Sequence, residues 1–229
     1  MLIGKIEGVE LEIYHLLSFP QEPPESEEQQ KGTLMETGKV IVEKVGGKST
    51  VTKCFSKYPL KFIIPRKVGS SETDAVWIYT ITYGGGIVSG DSIACDITVG
   101  DCCTTVLTTQ ASTKVYKAVG SKSSEQVLEA RIGSNAFLAV IPDPVTCFST
   151  AKYSQRQVFK VVSDSSLLHV DWITSGRHER GEKWDFDLYK STNDIFHNGD
   201  EPLFLDTISV PDLVDQSWVA AFNPSGDPR

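Results

Sequence analysis

The sequence predicts a mainly β protein, and three observations carry that expectation. Short apolar or alternating runs rich in β-branched and aromatic residues recur from residue 40 onward. Clusters of glycine, asparagine and aspartate punctuate them, as hairpins and sharp corners require. No long stretch carries the 3.6-residue apolar period of a helix.

Taken in order, the first 34 residues stand apart. Gln21–Lys31 reads QEPPESEEQQK, with two prolines, four glutamates and no large apolar side chain, which predicts disorder. Residues 1–34 therefore form a disordered or extraneous extension, 35–216 the β domain and 217–229 a loose tail. Strands are expected at Val40-Ile41-Val42, Val76-Trp77-Ile78, Ile93-Cys95-Ile97-Val99, Leu167–Thr174 and Trp184-Phe186-Leu188, and Ala136–Ile141 is a further apolar run. Turns fall at Gly46-Gly47, Gly84-Gly85-Gly86, Gly100-Asp101 and Asn198-Gly199-Asp200. The best helical candidate is Gln110–Val119, weakened by β-branched Thr113, Val115 and Val119. No repeat of fixed period is visible.

A chain of 229 residues, 40% of them hydrophobic, is long enough to bury one sizeable core. Its net charge of −8 argues against nucleic acid or an anionic membrane as partner, since both need clustered Lys and Arg. Without an apolar run of about 18 residues or a secretory leader, the expected location is cytoplasmic. The five cysteines include no CxxC pair, so most of them read as reduced core residues and not as a zinc site. Cys102 and Cys103 adjoin in a strand-like stretch, where their side chains would diverge.

Three segments concentrate chemistry. Tyr83-Gly84-Gly85-Gly86-Ile87-Val88-Ser89-Gly90-Asp91 lacks the Gly-Lys-Ser/Thr ending of a phosphate loop, leaving a tight corner with Asp91 binding backbone amides, or an Asp91 that faces a channel. Pro142-Asp143-Pro144 aims one carboxylate between two fixed φ values, useful to a cation and equally at home in a turn. Gly176–Trp184 (GRHERGEKW) places His178-Glu179 three residues before Glu182, superficially like an HExxH zinc helix, but Gly181 predicts a loop in which Arg177 pairs with a carboxylate. No Gly-x-Ser-x-Gly elbow supports a nucleophilic triad. His15 lies in the extension, and His169 reads as a satisfied core or edge histidine.

Taken together, YGGGIVSGD, TTQASTKVY (108–116), PDPVTCFSTAKYSQRQVF from Pro142 and SGRHERGEKWDF from Ser175 resemble the urease accessory protein D family, called H in some bacteria, in a plant-like form. The resemblance runs from about Thr37 to Val210. It implies a non-enzymatic chaperone with an elongated stack of β-sheets, β-helix-like, with few short helices. The implied partners are the urease apoprotein, accessory protein F and, through F, the accessory GTPase G. It also implies an internal passage for Ni²⁺ in transit, with no cofactor tightly bound. A conduit must release its ion, so scattered carboxylates and water suit it better than a Cys/His cage. Asp91, Asp143 and Glu182 are the residues carried over as candidates for that passage, with His178 as a weaker one.

The resemblance lapses in residues 1–34 and after Thr207, where the expectation is a missing or replaced C-terminal part. Two other readings remain at this point. One is a metal-dependent hydrolase using His178, Glu179 and Glu182, and the other a β-sheet interaction module with no metal role.

Overall fold

The computed structural model describes residues 36–66 and 74–210. The proposed extension, the tail and His15 lie outside them. The chain forms fifteen strands among these residues: β1 (Gly38–Val45), β2 (Lys48–Ser56), β3 (Leu60–Ile63), β4 (Val76–Thr82), β5 (Ser92–Val99), β6 (Thr104–Thr109), β7 (Thr113–Val115), β8 (Ser124–Ile132), β9 (Phe137–Val140), β10 (Val145–Cys147), β11 (Lys152–Val161), β12 (Ser166–His169), β13 (Ile173–Thr174), β14 (Leu188–His197) and β15 (Glu201–Val210). Two three-residue 3-10 turns, Tyr83–Gly85 and His178–Arg180, are the helical segments among them. The mainly β class is as the sequence predicts.

The strands wind into a solenoid of about four coils. In each coil the chain passes from a five-stranded sheet (β12-β9-β6-β4-β3) by way of a small three-stranded sheet (β13-β10-β7) to a seven-stranded sheet (β15-β14-β11-β8-β5-β1-β2). Coil-to-coil pairing is parallel, as in β4 with β6, β6 with β9 and β9 with β12. Antiparallel hairpins close the two ends, β1 with β2 at one and β14 with β15 at the other. Parallel strands need crossover connections, and here the other two sides of the coil supply them.

The repeat escapes a sequence search because its coils differ in length. One column runs through Val76, Thr105, Leu138 and Leu167, advancing 29, 33 and 29 residues. Another runs through Ile93, Gln126, Gln155 and Ser191, advancing 33, 29 and 36. Turns absorb the extra residues, so register in three dimensions survives without a fixed period.

Alternation places one face of each strand inside the coil. In β5 Ile93, Cys95, Ile97 and Val99 are buried and their neighbours half-exposed. They meet Leu128, Ala130 and Ile132 of β8, with Phe159 and Val161 of β11 beyond, in one continuous core. Burial pushes the thiols of Cys95 and Cys147 up to about 12, so both stay protonated and inert. Cys103 is also buried, whereas Cys54 and Cys102 are exposed, and none of the five forms a disulfide.

Several local expectations need correction. Gln110–Val119 contains strand β7, because Thr113 N bonds the Pro144 carbonyl (3.0 Å) and Tyr116 N the Ile87 carbonyl (2.9 Å). Neighbouring coils satisfy this backbone, which removes the incentive for helical bonds. Leu167–Thr174 is two strands, β12 and β13, parted where the solenoid turns a corner. Trp184-Asp185-Phe186-Asp187 is not a strand: Trp184 has φ 55°, and regular pairing begins at Leu188. Cys102 likewise sits in a turn at φ 58°, not in a strand.

One polar tie fixes the first hairpin. Asp74 accepts hydrogen bonds from Ser49 N (2.6 Å), Ser49 Oγ (2.8 Å) and Lys44 Nζ, while Ser49 Oγ accepts one from Thr104 N (3.0 Å). Burial alone would raise the Asp74 carboxyl, but Lys44 and the two Ser49 groups outweigh it and hold it down to about 2. A depressed folded-state value means that the stabilisation is present above the ordinary value near 3.8 and is lost as pH falls through about 2. An Asp74→Asn variant is therefore expected to be less stable than the unmodified protein at pH 6. The gap between their urea midpoints should shrink between about pH 4 and pH 2, and a gap constant over that interval would contradict the account.

Candidate functional site

A cavity of about 270 Å³ opens inside the coil. Its outer part is lined by Thr109, Pro142, Asp143 and Trp172, and its inner part by Gln126, Tyr153, Gln155, Gln157 and Asp171. Asp143 stands exposed at the mouth. Both flanking proline carbonyls are anchored, that of Pro142 by Trp172 Nε1 (2.9 Å) and that of Pro144 by Thr113 N (3.0 Å). Thr109 Oγ1 then donates to Asp143 Oδ2 (3.2 Å) and accepts from Asp143 N (2.8 Å). One carboxylate oxygen is thus held by a hydroxyl, and no basic group pairs with either oxygen among the described residues.

Deeper in, the inward columns change character. Along one, Ile93 gives way to Gln126, Gln155 and Ser191; along the next, Cys95 and Leu128 give way to Gln157 and Asn193. Asp171, on the connection between β12 and β13, is the acceptor that organises them. Gln155 Nε2 donates to its Oδ1 (2.7 Å), and Ser191 Oγ (2.5 Å) and Asn193 Nδ2 (2.9 Å) donate to its Oδ2. Gln157 Nε2 donates to Asn193 Oδ1 (3.1 Å), and Tyr153 OH donates to Gln155 Oε1 (3.3 Å). Burial raises the Tyr153 and Tyr189 phenols well above their ordinary range, so both remain neutral, and Tyr189 OH accepts from Gln155 Nε2 (3.4 Å). Amides and hydroxyls around a single carboxylate make a polar interior of low net charge.

The sequence-derived candidates separate. Asp143 belongs to this cavity. Glu182 lines a different one of about 510 Å³, together with Tyr116, Phe148 and Arg177. There Arg177 Nε (2.9 Å) and Nη2 donate to Glu182 Oε1, and the amides of Arg177 and Ser149 (both 3.3 Å) donate to Oε2. The Arg177 guanidinium, 4.6 Å from the Phe148 ring centroid, holds the Glu182 carboxyl below its usual range against the opposing effect of burial. Asp91 closes its own turn, its Oδ2 accepting from Val88 N (3.0 Å), and lines neither cavity. The corner it ends is forced by glycines: Gly84 has φ 74°, and a Cβ at Gly86 would stand 2.6 Å from the Lys114 carbonyl oxygen.

His178 and Glu179 belong to a three-residue 3-10 turn, too short to present an HExxH-type face, and Glu179 is exposed. No three His, Cys, Asp or Glu side chains converge among the described residues. His169 departs from the satisfied histidine expected from sequence. Its ring lies 4.9 Å from that of Phe159, its Nε2 is enclosed, and among the described residues no group hydrogen-bonds that atom. Burial lowers the imidazole below its ordinary value, with the Asp171 charge opposing, which favours the neutral ring.

The inner polar residues escaped the sequence reading, although a signal existed. In KYSQRQVFKV, Tyr153, Gln155 and Gln157 share parity with the core residues Phe159 and Val161, and polar side chains at core parity mark a wet interior.

A family-wide sequence profile described as UreD urease accessory protein matches residues 36–224. The chain is 70% identical over 174 residues to urease accessory protein D of Arabidopsis thaliana, covering 76% of this chain and 59% of that protein. It is 61% identical over 181 residues to urease accessory protein D of Oryza sativa subsp. indica, covering 79% and 58% respectively. A bacterial relative, urease accessory protein UreD of Anaeromyxobacter sp. (strain Fw109-5), is 38% identical over 162 residues, 71% of this chain and 53% of that protein. The chain thus spans rather more than half the length of these relatives.

Proposed function

The chain belongs to the UreD urease accessory protein family, and on that premise we propose that it serves urease maturation in the cytoplasm as a scaffold and not as a catalyst. In this reading it binds the urease apoprotein and accessory protein F, and through F it receives Ni²⁺ from the accessory GTPase G. The ion is cargo, taken in at the Asp143 mouth and led inward along the uncharged amides and hydroxyls towards Asp171.

The observation that carries the reading is the cavity itself, with one lightly held carboxylate at its mouth and a second inside. Such spacing gives a divalent cation successive weak holds without a cage that would retain it. Asp143 is the passage residue this geometry favours. Glu182, saturated by Arg177 and two amides, has a proposed part in the passage only if that pairing opens. Asp91 and His178 enter the proposal through family resemblance alone. Among the described residues no helix is long and apolar enough to cross a membrane.

The test is urease activation in cells lacking the endogenous D-type protein but holding the other accessory proteins. The unmodified protein is expected to raise both urease activity and the nickel content of purified urease. Asp143→Ala should still co-purify with the partners and deliver several-fold less nickel. Full nickel loading by that variant would remove Asp143 from the route, and failure of the unmodified protein to bind urease or accessory protein F would sink the scaffold reading.

A further inference from the structure

We propose that His169 Nε2, the Asp171 carboxylate and the Gln157 side-chain oxygen form a weak divalent-cation site at the inner end of the cavity. The proposal rests on the passage reading for its physiological meaning but stands on separate observations. Leu167 and His169 share one face of β12, and Asp171 follows just past its end; all three turn inward, Leu167 packing on the core, His169 lying against Phe159 and Asp171 bonding Gln155. On the facing strand β11, Gln155, Gln157 and Phe159 also share a parity, so Gln157 falls between the residues that touch Asp171 and His169. Asn193 ties the two sides together, accepting from Gln157 and donating to Asp171. Gln157 and Asp171 both line the cavity, and His169 lies behind that lining, its ring against Phe159.

The histidine is what distinguishes this place from an ordinary polar network. An enclosed imidazole nitrogen normally finds a hydrogen-bond partner, and among the described residues His169 Nε2 has none. Asp171 spends three hydrogen bonds on its two oxygens, and a carboxylate has lone pairs for about four. A neutral imidazole and a carboxylate suit a borderline cation such as Ni²⁺, and an amide oxygen completes a partial set. With only two strong donors the remaining positions fall to water, so the ion exchanges readily.

Nickel alone is the probe. The full chain has four histidines, and labelling their rings with ¹³C and ¹⁵N resolves them by NMR. His169→Gln assigns the signal. Substoichiometric Ni²⁺ is expected to broaden the His169 resonance, and equilibrium dialysis should show the dissociation constant rising at least fivefold in His169→Gln and in Gln157→Leu. A His169 signal that stays sharp while other histidines broaden overturns the site, as it would if Nε2 simply bonds a buried water. The two readings fail separately. Broadening with normal nickel delivery by His169→Gln upholds the site and counts against its place on the route. A sharp signal combined with impaired delivery by Asp143→Ala leaves the passage standing and removes this site.

Discussion

Asp171→Asn is expected to lower the thermal midpoint by about 2–12 °C and, on the proposed passage reading, to cut nickel delivery to urease at least tenfold. The substitution keeps size and shape but turns one acceptor oxygen into a donor. If the new NH₂ takes the Oδ2 position it meets two donors, Ser191 Oγ and Asn193 Nδ2; in the Oδ1 position it meets one, Gln155 Nε2. The second arrangement is the milder, because Gln155 keeps Ser191 Oγ as an acceptor at 2.9 Å. One donor left against a donor costs about 1–3 kcal/mol when buried. For a chain of this size each kcal/mol moves the midpoint by about 2–4 °C. Water entering from the cavity would hold the loss to the lower part of that range.

The nickel effect has a different origin, the loss of the charge that makes the inner cavity attractive to a cation. The two effects separate in an Asp171→Asn/Gln155→Leu double variant. Removing the frustrated donor should recover part of the midpoint and none of the delivery. Circular dichroism melts and metal analysis of purified urease measure both. An unchanged midpoint would mean that the three bonds to Asp171 contribute nothing, and unchanged delivery would take Asp171 off the route.

What could be read from sequence follows from how local each feature is. Period-2 burial in β5 is written into Ile93, Cys95, Ile97 and Val99, and the turn at Asn198-Gly199-Asp200 is written into residue types that tolerate positive φ. The failures lie where a neighbouring coil decides. β7 is extended because Ile87 and Pro144, distant in sequence, satisfy its backbone, and Trp184 leaves the strand region because the 184–187 segment bonds the turn at Thr150-Ala151 instead. The site divides in the same way. The aim of Asp143 follows from two adjacent prolines and was legible; the role of Asp171 depends on residues 16, 20 and 22 positions away, which no local pattern links to it. Glu182 sits in a motif that signals charge, but pairing with Arg177 takes up most of its hydrogen-bonding capacity.

The interior is expected to change from close-packed to wet within the breadth of β11, and Phe159→Ala tests where. Phe159 is fully buried, aligned with Ala130 and Ile195 on the neighbouring strands, and its ring lies tilted against that of His169. Ala130 is too small to fill the space, and rigid pairing on both sides prevents β11 from moving inward. The loss should be about 3–5 kcal/mol, the usual range for a buried phenylalanine truncated in a rigid site. Phe159→Leu, nearer in volume, should cost less than about 1.5 kcal/mol, and Val119→Ala, at an exposed position, should stay within about 0.5 kcal/mol. Urea unfolding gives all three. Because a solenoid couples each coil mainly to its neighbours, the Phe159→Ala loss should fall on the β8-β11-β14 coils, with the β1-β2 hairpin, separated from β11 by β8 and β5, showing the smallest change in amide exchange. A loss below about 1 kcal/mol would show that water already reaches this level. The cavity would then extend past Phe159, and His169 would lie in the open passage and not at its inner end.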